Sequence, residues 1–136
     1  MNNPTINYKK IIEETNSRMF NVRDEYKDNS LEQNVSICKQ QSRNFSIGAI
    51  NITGCLNIGV MIRSASLMGA SNFYIFGRRT FDKRSTVGAE KYINIVQYSY
   101  DNPMTADEQM LNDLRKLPHP IVACEQGGAT LGSVDA

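Results

Sequence analysis

The 136 residues hold 15 Lys and Arg against 14 Asp and Glu, a formal net charge of +1 with one histidine. A chain of this size carries one core and not two, and the near balance of charge excludes a polycationic footprint, so any nucleic-acid contact must come from local clustering. Cys38, Cys55 and Cys124 are odd in number and lack a CxxC spacing, which supports neither a disulfide framework nor a zinc site and reads as buried, reduced thiols; with no apolar run near the ~20 residues of a membrane span and no signal peptide at the first residues, the expectation is a cytoplasmic protein without membrane or metal.

Taken in order, Tyr8 to Tyr26 is rich in Lys, Glu, Asn and Arg, with Ile11, Ile12, Met19, Phe20 and Val22 scattered among them. That is at best a weakly amphipathic helix, and residues 1–30 read as an N-terminal polar or helical extension ahead of a domain over 31–136. Ser30 can cap a short helix in which Leu31, Val35 and Cys38 stand at i, i+4 and i+7. Phe45-Ser46-Ile47-Gly48-Ala49-Ile50-Asn51-Ile52 is short and apolar, closes on Thr53-Gly54, and reads as a buried strand with a tight turn.

The next stretch predicts the helix around which the chain is organised. Ile58, Met61, Ile62, Ala65 and Met68 line one face, Asn57 can cap the start, and Gly69 can take the left-handed position after the end. Arg63 lies roughly 140° round from Ile58, beside the packing stripe and not in it. Asn72 to Gly77 then gives a second strand, and one crossover helix between two strands makes a βαβ unit with a parallel pair. Both strands deliver their carboxyl ends to one rim, where open α/β sheets bind ligands. Arg78, Arg79, Lys83 and Arg84 come next on that rim, four cations opposed only by Asp82.

Tyr92 to Tyr98 alternates and reads as a third strand. Thr105 with Glu108 predicts a capping box for a helix running to about Leu117, stopped by Pro118 and Pro120. Ile121-Val122-Ala123-Cys124 reads as a fourth strand, and Gly127 to Ala136 as loop. His119, flanked by prolines, is expected to be structural, and Tyr92, Tyr98 and Tyr100 to pack on the sheet rather than stack on bases. The fold class this implies is α/β with a parallel sheet.

The spacing Asn57-x-Gly59-x-x-x-Arg63-x-Ala65-x-x-x-Gly69 after an apolar strand resembles the first signature motif of the SpoU-type (TrmH-like) RNA 2′-O-methyltransferases of the SPOUT superfamily. The Phe73 strand with its basic loop resembles that family's next strand and loop, and Arg84 to Tyr92 resembles the segment after them. The resemblance runs from about Leu31 onward and implies a SPOUT-like (α/β knot) domain that transfers a methyl group from S-adenosyl-L-methionine to a ribose of transfer or ribosomal RNA, as a homodimer when full length. It assigns Arg63 to the activation or stabilisation of the target hydroxyl and Asn57 to the shaping of the pocket, and suggests RNA backbone contacts for Arg78, Arg79, Lys83 and Arg84.

The family's second motif, Gly-x-Glu-x-x-Gly, and its third, a Ser-Leu-Asn-like turn, do not occur here; Glu125-Gln126-Gly127-Gly128 has the wrong spacing. Those motifs tie the knot and bind the cofactor, so the sequence is expected to be the N-terminal portion of the catalytic domain, with no cofactor-binding residue of its own and methyl transfer by this portion alone in doubt. The alternative expectation is a non-catalytic RNA-binding module derived from such an enzyme. A Rossmann-type nucleotide-binding domain fits less well, because Thr53-Gly54-Cys55-Leu56-Asn57 lacks a glycine-rich phosphate loop.

Overall fold

The computed structural model describes residues 26, 28–118, 120–130 and 133. The helix expected up to Tyr26 falls, apart from that tyrosine, outside the described residues, as does His119. Ser30 does cap the first helix, α1 (Leu31–Gln40). Its hydroxyl accepts from the Gln33 N–H at 3.2 Å while the Gln33 side chain accepts from the Ser30 N–H at 2.7 Å, so two otherwise orphaned donors are satisfied reciprocally.

Strand β1 (Arg43–Ile50) leads into α2 (Cys55–Leu67), and α2 into β2 (Ala70–Phe76). A one-turn helix, α3 (Lys83–Thr86), and a 3₁₀ turn (Ala89–Lys91) then lead to β3 (Asn94–Tyr98). The three strands form a parallel sheet in the order β1-β2-β3, with Ile47 opposite Phe73 and Phe73 opposite Ile95. The protein is therefore an α/β domain on a parallel sheet, as its pattern of elements predicts.

The core lies between one face of that sheet and α2. Ile58, Ile62 and Ala65 from the helix meet Ala49, Phe73 and Ile75 from the strands, all of them buried. Each large side chain removed from water there contributes roughly 1.5–3 kcal/mol before entropic costs. Met68, expected to extend the stripe, is exposed, because the helix already ends at Leu67. Gly69 follows at φ +79°, the left-handed conformation that glycine adopts without a Cβ penalty, and reverses the chain into β2. On the opposite sheet face Phe76 stacks on Tyr98 with ring centroids 4.9 Å apart, and Tyr74 flanks them. Tyr98 thus packs on the sheet as expected.

Several expectations are corrected. Helix α2 starts two residues before Asn57, with Gly54 as its N-cap, so Asn57 is its third residue and not its cap. Helix α4 (Ala106–Arg115) forms, but Thr105 makes no side-chain capping bond. Its backbone sits at φ −117°, ψ 0°, outside the extended conformation an N-cap normally adopts, and the capping box fails for that reason. Residues 121–124 are exposed coil and not a strand. A strand there needs a ladder partner and a buried face; it has neither, and Pro118 and Pro120 remove N–H donors just upstream. Cys124 is exposed, and Cys38 and Cys55 are half-buried, so the thiols are free but not buried. Among the described residues no helix is long and apolar enough to cross a membrane, and no group of three acidic, His or Cys side chains is arranged to hold a metal ion.

Candidate functional site

The carboxyl rim of the sheet is built from two turns set side by side. The chain leaves β1 through Asn51, at φ +51°, whose N–H donates to the Phe76 carbonyl at 2.8 Å; it leaves β2 through Gly77, at φ +136°, whose N–H donates to the Tyr98 carbonyl at 2.9 Å. A Cβ on Gly77 would stand 3.0 Å from the Asn51 side-chain oxygen, so glycine is required both by the dihedral and by the neighbour. Between these turns and the Tyr100–Ala106 segment lies an open cleft of about 450 Å³, which Arg78 and Arg79 help to line.

The basic loop then folds back onto α2. The Asp82 N–H donates to the Cys55 carbonyl at 3.1 Å, and the Ser85 hydroxyl to the Asp82 carbonyl at 2.7 Å. Gly59 makes this possible. A Cβ at that position would lie 1.8 Å from Ser85 Oγ and 2.8 Å from the Asp82 carbonyl oxygen, so only a glycine lets the loop lie against the helix. The signature glycine is thus a seat for the turn that carries Lys83 and Arg84.

Arg63 stands one turn further along the same helix face, since residues four apart overlie one another. It is exposed and makes no hydrogen bond or ion pair among the described residues. Helical side chains lean toward the preceding turn, which here is the turn bearing Gly59 and the seated loop. Asn57 is exposed and folds against Gly54, its amide nitrogen 3.1 Å from where a Gly54 Cβ would be. It sits about 120° round the helix and about 9 Å along it from Arg63. The fold therefore puts Arg63 one helical turn beyond the Gly59 seat and leaves Asn57 on another face.

The four cations, within seven residues of one another in sequence, divide in space and in availability. Arg78 is committed to the backbone: its Nε donates to the Tyr100 carbonyl at 3.3 Å and its Nη2 to the Asp101 carbonyl at 3.0 Å. Arg84 is paired with Asp82 through Nε at 3.0 Å and Nη2 at 2.5 Å, and its own N–H is capped by the same carboxylate. Those bonds from Arg84 hold the Asp82 carboxyl down at about 2. Arg79 and Lys83 remain exposed, with no side-chain hydrogen bond or ion pair among the described residues, although the Lys83 charge acts on Glu90.

Tyr100 is a residue that sequence reasoning undervalues. It is buried, its hydroxyl donates to Asp113 at 3.2 Å, and its carbonyl holds Arg78. Burial, then the nearby Asp113 carboxylate, pushes its hydroxyl up to about 12. The seating roles of Asp82 and Ser85 also escape a reading of the sequence. The available signal is a glycine inside a helical pattern, which marks a close approach without naming what approaches.

No family model matches this sequence, and no curated protein does. Among solved structures the chain is similar to the A. aeolicus TrmH/SpoU tRNA modifying enzyme, at a TM-score of 0.43 and 19% identity, over 61% of this chain and 45% of that one. The chain thus spans less than half the length of that enzyme. A likeness of this extent leaves the chemistry to be argued from the residues themselves.

Proposed function

We propose that this domain is the substrate-facing portion of an RNA ribose 2′-O-methyltransferase of SpoU type, residues 31–136, with residues 1–30 as an extension. The observation that carries the reading is the seating of the basic turn on Gly59, one helical turn before an unpaired, exposed Arg63 on the same helix. Five signature positions recur at their spacing, and two of them have a physical reason on this structure: Gly59 for the close approach and Gly69 for the left-handed turn.

A ribose 2′-hydroxyl is a very weak acid, and attack on a methyl donor requires its developing negative charge to be held. A guanidinium is a hydrogen-bond donor and no acceptor, so Arg63 acts by donating hydrogen bonds to the nascent alkoxide and to an adjoining phosphate, not as a base. Lys83 and Arg79 supply phosphate contacts. Arg84 joins them only by exchanging Asp82 for a phosphate, and Arg78 serves first to hold the Tyr100 segment. Asn57, on its separate face, shapes the helix start and reaches the reaction centre only if the RNA wraps α2.

The expected methyl donor is S-adenosyl-L-methionine, but the carboxyl-rim cleft does not fit it. No carboxylate lines the cleft, and Arg78 and Arg79 would oppose a sulfonium cation. The cofactor is therefore assigned to the family's second and third motifs, which this sequence does not contain, and the whole enzyme is expected to be a cytoplasmic homodimer. The same misfit favours a second reading, a non-catalytic RNA-binding module.

The test is methyl transfer to transfer and ribosomal RNA, read as 2′-O-methylnucleosides by mass spectrometry. A protein containing this domain and the family's other two motifs should transfer, and Arg63→Ala in it should lower turnover by roughly 10²–10³, the usual cost of one oxyanion donor. Unchanged turnover in the variant removes Arg63 from the mechanism. Salt-sensitive RNA binding with no transfer supports the module instead.

A further inference from the structure

At the opposite, amino edge of the sheet lies a second cavity, of about 420 Å³, between α1 and the start of β3. Lys39 and Lys91 stand on its walls, both exposed and with no side-chain hydrogen bond or ion pair among the described residues, although the Lys91 charge acts on Glu90. No carboxylate lines it. Glu90, the acid next to Lys91, is already hydrogen-bonded by the buried Thr86 hydroxyl. Burial pushes the Glu90 carboxyl up, yet that bond, its own N–H, and the Lys91 and Lys83 charges outweigh burial and hold it below its usual range.

The remaining lining is of two kinds. Val35 and Ile95 supply apolar surface and Tyr92 an aromatic ring, and Asn94, at the cavity's border, carries an amide. That amide ends a polar ladder across all three strands. Asn94 Nδ2 donates to Asn72 Oδ1 at 2.8 Å, and Asn72 Nδ2 donates to the Ser46 and Ser71 hydroxyls at 3.2 and 3.1 Å. Donation along the ladder leaves Asn94 Oδ1 without a partner among the described residues, an acceptor suited to a ribose hydroxyl or a base N–H.

Cations and an aromatic ring around one cavity, with a free acceptor at its border, match the parts of a nucleotide. We infer that the amino-edge cavity is a second nucleotide site, with Lys39 and Lys91 on a phosphate and Tyr92 and Asn94 on the attached nucleoside, and that the nucleotide belongs to the RNA bound at the carboxyl rim. Placement gives the RNA as the source. Ser71 borders this cavity and Gly77 the carboxyl-rim cleft, six residues apart on one strand, hence about 20 Å. That distance spans only several base steps of an A-form duplex, so one RNA arm can engage both ends of β2. The inference rests on the RNA-binding reading proposed above.

The test is fluorescence anisotropy with a labelled RNA hairpin, between about 50 and 200 mM salt, on wild type, Lys39→Ala/Lys91→Ala and Arg79→Ala/Lys83→Ala. Both lysines are exposed, so the first double variant is expected to fold, which circular dichroism checks. It should bind about tenfold more weakly at low salt, with a log–log salt slope shallower by about 1.8, two duplex phosphate contacts at about 0.9 each. The same affinity and slope as wild type, with Arg79→Ala/Lys83→Ala still impaired, overturns this inference alone. Failure of wild type to bind the hairpin overturns the RNA reading beneath it. Adenosine monophosphate titrated alone is the second arm: saturation that needs Lys39 and Lys91, with hairpin binding untouched by their loss, overturns the assignment to RNA in favour of free nucleotide.

Discussion

The segment from β1 to β3 and the segment after it are built on different terms. In the first, an apolar helix face, two β-rich strands and one mid-helix glycine meet so closely that Phe73 and Ile62 are wholly buried. In the second, α4 has no fully buried residue, Leu111 and Met104 face solvent, and residues 120–130 are exposed throughout. Both are predicted from similar local cues, a cap, a periodic stripe and an apolar run. The difference lies in whether a partner surface stands opposite. Local pattern proposes an element, and burial against a second element decides whether it is kept.

The largest test of that contrast is truncation of apolar side chains. Phe73→Ala should cost about 3–5 kcal/mol in denaturant unfolding, as deletion of a fully buried aromatic does. Leu111→Ala should stay within about 1 kcal/mol, because half of that side chain is already in water. Equal costs would show that α4 is as much a part of the core as the sheet is.

A smaller effect is expected from adding one methyl group to a glycine in each region. Gly59→Ala should destabilise by about 1–3 kcal/mol, since the Asp82 carbonyl lies 2.8 Å from the new Cβ and the loop must lift. Ser85→Gly in that background should recover part of the loss but not all, because the carbonyl stays. Gly128→Ala, whose Cβ would be 3.5 Å from the Glu125 carbonyl oxygen, should be near neutral. Loss at both positions would remove the distinction between a fitted glycine and a loop glycine.

The smallest effect concerns the Tyr100–Asp113 bond, which ties α4 to the end of the sheet. The Tyr100 hydroxyl is raised from 10.0 to about 12 in the folded protein, so its neutral form is the one the fold favours. The stability it contributes is fully present below pH 10 and is lost as pH rises toward 12. Tyr100→Phe should flatten that alkaline decline, measured as unfolding midpoint against pH. An identical decline in the variant would place the sensitivity elsewhere.

How much is legible in the sequence can be judged from particular residues. Strand β1, helix α2 and strand β2 can be read because their periodicities are strong and Gly69 marks the end of the helix, whereas its start is read at Asn57, three residues late. The Ser30 cap is legible too. The role of Gly59 is legible only in half: a mid-helix glycine announces a neighbour, but that the neighbour is Ser85, 26 residues on, is a tertiary fact. Arg78 and Arg84 look like free cations in the sequence, yet each is engaged, by the Tyr100 and Asp101 carbonyls and by Asp82. Ile121 to Cys124 has a strand's composition without a strand's setting, and composition carries no record of what stands alongside.

The sheet's spatial order repeats the order of its strands in the chain. During synthesis each strand emerges after the edge it will join is already complete, so no strand has to be inserted between two earlier ones. The domain can grow by accretion, β1 with α2 and β2 first and β3 onto the finished edge, each step closing one crossover between neighbouring strands. An assembly of this kind grows on one side only, and the outer edge of β1 keeps its free backbone groups from the first strand to the last.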